Sequence, residues 1–277
     1  MLQPHRSRYW EHPNIEDWDE FAEQVEQICQ VHATAQVQSE TRGLHTISTD
    51  EKPGIQALER DGKTLPVQAE QVERREFNYV RHGTQVVTAN LDLATGQLLT
   101  PTMADTRTEA DFVHHIARLI QTDPRAGFII VCDQLNTHKS ESLVRFIAQT
   151  LEDEQDLGEK GKSGILKSMP TRQAYLSNPE HRIRFVYTPK HCSWLNPIEV
   201  WFSILDQHVL RWGDFSSIDD LKQKIHRYIT YYNDHLAKVW KWSVVTTKQI
   251  QALIDKVRLI EGVLPPGTAG PEMAAHL

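Results

Sequence analysis

Residues 127–140 read GFIIVCDQLNTHKS. Phe128 to Cys132 form an unbroken apolar run, the mark of a strand covered on both faces, and the run stops on an acid, Asp133. Helical patterns lie on either side. Upstream, Thr108 can cap TEADFVHHIARLIQ, which sets Phe112, Ile116, Leu119 and Ile120 on one apolar face. Downstream, residues 140–151 carry Leu143, Phe146 and Ile147 at helical steps. Further out, IRFVY (183–187) reads as a second short strand, and residues 84–100 read as a hairpin turning at Ala94-Thr95-Gly96. LHTISTD (44–50) reads as a strand ending on Asp50, with Lys52-Pro53-Gly54 expected to break the chain after it. Amphipathic helices are expected over 15–36, 217–233 and 247–260. This alternation predicts an α/β layer fold, a mixed central sheet flanked by helices.

Bulk properties narrow the function. The chain has 277 residues, 39% of them hydrophobic and 24% charged, which suits a globular protein with a real core. No apolar run is long enough to span a bilayer, so no membrane partner is expected. Three cysteines without CxxC spacing argue against a disulfide framework and for a reducing cytoplasm. The net charge of −7 speaks against nucleic acid, but its distribution does not. Between Lys160 and Lys190 stand seven bases (Lys160, Lys162, Lys167, Arg172, Arg182, Arg184 and Lys190) against one acid, Glu180.

Three carboxylates carry the chemical reading. Asp50 and Asp133 end predicted strands, and in α/β sheets the carboxyl ends of neighbouring strands share a rim. Glu199 opens a helix within PKHCSWLNPIEVWFSI (189–204), about ten residues after another strand. Gathered at one point, the three would repel unless cations sat between them, and carboxylate oxygens are the donors Mg²⁺ and Mn²⁺ prefer. Each acid also has a plain structural role to weigh: Asp50 in a turn, Asp133 paired with His138, and Glu199 in a capping box closed on Asn196.

The local wording resembles the mariner-like DDE transposases, in their bacterial insertion-sequence branch. The matching stretches are Ser48-Thr49-Asp50-Glu51-Lys52, Tyr79-Val80-Arg81-His82-Gly83-Thr84, Asp133-Gln134-Leu135-Asn136-Thr137-His138-Lys139, and Tyr187 through Phe202 with Asn196-Pro197-Ile198-Glu199 at its centre. They run in order along most of the chain. The resemblance implies an RNase H-like fold over residues 44–240 and a catalytic, metal-binding triad of Asp50, Asp133 and Glu199. It also implies Mg²⁺ or Mn²⁺, two ions in all, with Asn136, His138 and Asn196 in support. The implied partners are transposon-end DNA and target DNA, at TA sites, bound by a homodimer in the bacterial cytosol or nucleoid.

Two departures from the family pattern bear on this. Asp133 and Glu199 lie 66 positions apart, and the surplus is a basic insertion over about 153–182. It is expected to be a flap contacting DNA through Lys160, Lys162, Lys167 and Arg172, with Lys190 beside it. The chain also opens on a segment resembling the one that follows a helix-turn-helix region. Residues 1–43 therefore read as linker and helix after a missing DNA-reading domain, and 241–277 as a C-terminal helix and flexible tail. The rival functions are an RNase H-like nuclease without strand transfer and an inactive remnant that inhibits a full-length relative.

Overall fold

A computed structural model describes residues 15–62, 78–190, 192–244 and 246–260. The opening segment and the tail expected from the sequence lie outside the described residues, as does His191. The strands are β1 (Leu44–Arg60), β2 (Tyr79–Asp92), β3 (Leu98–Ala104), β4 (Gly127–Cys132) and β5 (Ile183–Tyr187). The helices are α1 (Trp18–Arg42), α2 (Glu109–Ile120), α3 (Glu141–Leu151), α4 (Met169–Leu176), α5 (Ile198–Leu205), α6 (Ile218–His235) and α7 (Thr247–Ile260).

One five-stranded sheet runs in the order β3-β2-β1-β4-β5. β1 is antiparallel to β2 and parallel to β4, and β4 is parallel to β5. The sheet is therefore mixed, as expected. The apolar run of β4 is buried along its whole length and divides by alternation between two cores. Phe128, Ile130 and Cys132 pack with Phe112, Ile116, Leu143 and Ile147 of α2 and α3. Ile129 and Val131 pack on the opposite face with Phe21, Val25 and Ile28 of α1 and with Ile250 and Ile254 of α7. A third cluster joins Val87, Ala89 and Leu91 of β2 to Trp201, Phe202 and Leu205 of α5 and Leu221, Ile225 and Ile229 of α6.

Local signals explain the helix ends. Thr108 caps α2 in a capping box with Asp111, and the Ser140 side chain caps α3. One expectation needs correction. Lys52-Pro53-Gly54 does not end β1. The strand continues to Arg60 through a register shift between Lys52 and Ile55, where Gly54 takes φ 73°. There β1 pairs only with β2, since its pairing with β4 stops at Ser48, so Pro53's missing N–H interrupts a single ladder and is absorbed in a bulge.

The basic insertion, expected as a flap contacting DNA, is a folded segment. It folds into a 3-10 turn at Ile165–Lys167 and then α4, whose Ser168 forms a capping box with Thr171. Leu166, Tyr175 and Leu176 are buried in the same core as β4 and β5. Apolar residues spaced among the lysines tie the segment down.

His32 on α1 is buried, with its ring edge-on to Trp242 at 4.5 Å and no hydrogen-bond partner for either ring nitrogen. Burial pushes its pKa down to about 3. The folded protein thus holds this ring neutral, while the unfolded chain binds a proton below the ordinary value of 6.5. The stability the neutral ring contributes is complete above that value and is lost as pH falls toward 3. His32→Leu is expected to flatten the pH dependence of unfolding free energy by up to about 1.4 kcal/mol per pH unit in that window. Urea titrations at stepped pH measure it, and parallel curves for the two proteins would refute the assignment.

Candidate active site

The parallel register between β1 and β4 pairs Ser48 with Val131. Two residues further along each strand stand Asp50 and Asp133, level with each other at the carboxyl rim. Asp50 is buried, whereas the Asp133 side chain is 38% exposed and faces the open end of the sheet.

Glu199 reaches this rim through a latch between β1 and the start of α5. Ser48 Oγ accepts the amide proton of Ile198 at 2.9 Å and donates to Asn196 Oδ1. Asn196 Nδ2 donates to the Thr49 carbonyl at 3.0 Å and to Asp50 Oδ2 at 3.1 Å. α5 has no side-chain cap of its own. Ser48, from a strand 150 positions away, supplies the acceptor for a first-turn amide. The capping box weighed from the sequence is therefore absent: Asn196 turns its side chain to β1 instead of capping α5. Ile198, Trp201, Phe202 and Leu205 bury the rest of α5, which leaves Glu199 half-buried at the rim.

Ser48 and Asp50 share one face of β1, and Glu51 takes the other. On that face His138 is fully enclosed, its ring 4.1 Å from that of Phe112. Its Nδ1 contacts Asp133 Oδ1 at 2.7 Å and its Nε2 contacts Glu51 Oε1 at 3.2 Å. The Tyr187 hydroxyl donates to the His138 carbonyl at 2.9 Å, and the Leu135 amide donates to Asp133 Oδ1 at 2.9 Å. Burial works to lower the His138 pKa, but hydrogen bonds to Asp133, Cys132 and Glu51 carry it well above the ordinary value. An imidazolium donating from both nitrogens is the species these contacts favour.

The acids perturb one another. Burial pushes Asp50 up to about 7; repulsion from Asp133 and Glu199 adds to this, while the His138 charge and the Glu51 amide oppose it. Glu199 is raised by burial, with the nearby Lys52 opposing and Asp133 adding to the rise. Asp133 goes the other way. Burial acts to raise it, yet the hydrogen bond and charge of His138, the Leu135 amide and Lys139 together hold it below the usual carboxylate range.

The other expected residues divide. Asn136 is exposed and opens the 3-10 turn that carries His138. Lys160 pairs with Glu141 at 3.6 Å and Lys162 with Glu159 at 2.7 Å, and both are exposed, as are Lys167 and Lys190. Arg172 is buried, with Nε donating to the Lys139 carbonyl at 2.7 Å and Nη1 to the Leu166 carbonyl at 3.0 Å. Its guanidinium stitches the insertion to the turn after Asp133 and does not face solvent. Sequence reasoning overlooked Ser48, Glu51 and Tyr187 as parts of the site. Ser48 had a usable signal, since period-two alternation puts it beside Asp50.

The rim suits a divalent cation in the kind of donor it offers. Among the described residues no group of three or more His, Cys, Asp and Glu side chains is gathered closely enough to hold a metal ion by itself. Mg²⁺ is usually bound by one or two carboxylates together with substrate phosphate oxygens, and a pair of facing aspartates with a third acid beside them fits that mode.

The chain belongs to the DDE superfamily endonuclease family, whose model matches residues 47–222 and so takes in all three acids. Among solved structures, the transposase chain of the Mos1 strand transfer complex superposes with a TM-score of 0.51 at 14% identity, covering 93% of this chain and 64% of that one. The Mos1 mariner paired end complex with Mn gives 0.47 at 14%, covering 91% and 64%. The catalytic domain of Mos1 mariner transposase gives 0.45 at 10%, covering 90% and 95%. The chain thus spans less than two thirds of the transposase chains in those two complexes, and the fold it shares with the strand transfer complex is the RNase H-like transposase fold. No curated protein matches the sequence. No helix among the described residues is long and apolar enough to cross a membrane.

His138→Leu would leave Glu51 enclosed without its cation. Removing one partner of a buried ion pair costs about 3–5 kcal/mol, and a loss of that size is expected in urea unfolding at neutral pH. Adding Glu51→Leu removes the stranded charge and should restore part of the loss. A single substitution that costs almost nothing, or a double variant no better than the single, would show that the bridge is not a structural element.

Proposed function

We propose that this chain is the catalytic core of a transposase of the insertion-sequence type, cutting DNA strands at an element's ends and joining them to target DNA. The observation that supports the reading is that Asp50 and Asp133 stand on neighbouring parallel strands at one rim, with Glu199 near enough to add to the rise in the Asp50 pKa. Membership of the DDE endonuclease family and the shared fold with a strand transfer complex support it.

Asp50, Asp133 and Glu199 are the residues that would hold Mg²⁺ or Mn²⁺. Bound there, such ions would supply Lewis-acid stabilisation of phosphodiester oxygens and a lowered pKa for an attacking water or 3′-hydroxyl. The protein's own contribution is orientation. Asn196 fixes one Asp50 oxygen and the Glu51 amide the other, at 3.1 and 2.8 Å. His138 and the Leu135 amide fix Asp133. The buried face of α5 holds Glu199 at a constant height above the sheet. Carboxylates held in this way reorganise little as charge develops on the phosphate.

Exposed Lys160, Lys162, Lys167 and Lys190 are available to DNA phosphates, while Arg172 is reserved for structure. DNA ends, a TA target and a homodimer on DNA complete the reading, and the family resemblance is what supports them.

Asp50→Asn, Asp133→Asn and Glu199→Gln are each expected to lower strand cleavage by at least a hundredfold in Mg²⁺ while leaving the unfolding midpoint close to that of the parent, an estimate on the scale of losing one preorganised charge-stabilising group. The assay uses a labelled duplex carrying the element end together with a target duplex. Joined product with the parent protein supports the transposase; nicked product alone would replace it with a nuclease. Full activity in Glu199→Gln would remove that residue from the triad.

A further inference from the structure

Lys139 follows the His138 motif and is almost wholly buried at 7% exposure. A buried ammonium is costly unless a carboxylate compensates it. Among the described residues none stands within ion-pair distance of Lys139. Its Nζ is held by two neutral amides, Gln134 Oε1 at 3.4 Å and Gln173 Oε1 at 3.2 Å, and sits 5.4 Å from the centre of the Tyr187 ring. An ammonium has three donors, and the two amide contacts are long. Burial lowers the Lys139 pKa, and the neighbouring Lys190 charge pushes it the same way.

The residues around this ammonium form the wall of a groove. Gln134, the residue after Asp133, lines a cavity of about 790 Å³ together with Gln173, Tyr187, Pro189 and Lys190. Gln134 is itself anchored by Nε2 to the Thr188 carbonyl at 2.9 Å. The same cavity is also lined by Glu16 and Asp17, just before α1, and by Glu20 in its first turn. These acids repel a polyanion, whereas Lys190 attracts one.

We propose that Lys139 and Lys190, with the Gln134 and Gln173 amides between them, form a seat for one or two DNA phosphates beside the phosphodiester that the carboxylates act on. The inference rests on the transposase reading and extends it. A phosphate there supplies the direct ion-pair partner that Lys139 lacks among the described residues. Rotation of the half-buried Gln173 amide frees an Nζ donor, and the Gln134 and Gln173 N–H groups offer further donors to the phosphate oxygens. The seat would fix the strand's path into the site from the β5 side.

The test is binding of a fluorescent duplex followed by anisotropy over a range of salt, in metal-free buffer and in a Glu199→Gln background so that no cleavage intervenes. Each phosphate neutralised contributes about 0.9 to the slope of log affinity against log salt. Lys139→Met keeps the packed stem and should flatten the slope by about 0.9; adding Lys190→Ala should flatten it by about 1.8 in all. Lys139→Arg should retain the parent slope. Should Lys139→Met prove unstable, Lys190→Ala and Lys139→Arg carry the test on their own. An unchanged slope in either neutralised variant, with its unfolding midpoint intact, overturns the two-lysine seat. That result leaves the triad standing, since the triad is judged separately by cleavage in the parent protein and in Glu199→Gln.

Discussion

The Ser48 hydroxyl does two things at once: it accepts the amide proton of Ile198 and donates to Asn196 Oδ1. The positions of Asp50 and Glu199 at the rim depend on that latch. Asn196 can face β1 only because its oxygen has been taken up by Ser48, and its amide then holds Asp50 and the Thr49 carbonyl. The same contact sets where α5 begins, and so where Glu199 stands. A buried hydroxyl and a buried amide without partners would each be costly; paired with one another and with the backbone, they fix one helix against one strand.

Around His138 the problem is electrostatic. Asp50, Glu51 and Asp133 lie close together, and two of them are largely buried. His138 separates them as a cation, clamped by Phe112, Tyr187 and the two carboxylates it bridges. One acid is thereby held ionised and another, Asp50, is left prone to protonation. Unequal acids at one rim are what a substrate bringing its own charge and cations can rearrange.

The basic insertion shows how charge and packing divide within one segment. Its lysines remain at the surface, but Arg172 and Arg182 turn inward to backbone carbonyls, and Leu166 and Leu176 enter the core. A run of like charge in a sequence does not separate exposed bases from structural ones; that separation depends on which carbonyls the fold leaves without partners. The lysine-bearing part of the neighbouring groove arises in the same way, from α4 and β5 closing around the turn that follows Asp133.

The sequence alone determined the layer fold, because an apolar run such as 128–132 and the 3.6-residue faces of α2, α3 and α6 are local patterns set by what each element must bury. It also singled out the three acids through the motif wording around them, although Asp50 proves to lie within β1 and not at its end. It misjudged Pro53-Gly54, and it left open whether Asn196 caps α5 or supports the site. Turn formers and capping residues have a default local use, and each is overruled here by a partner far along the chain. Which side chain pairs with which across 87 or 150 positions, as in His138 with Glu51 and Ile198 with Ser48, was decided only by the tertiary structure. Buried polar groups take whatever partner the packed chain brings within reach, and sequence distance does not enter that choice.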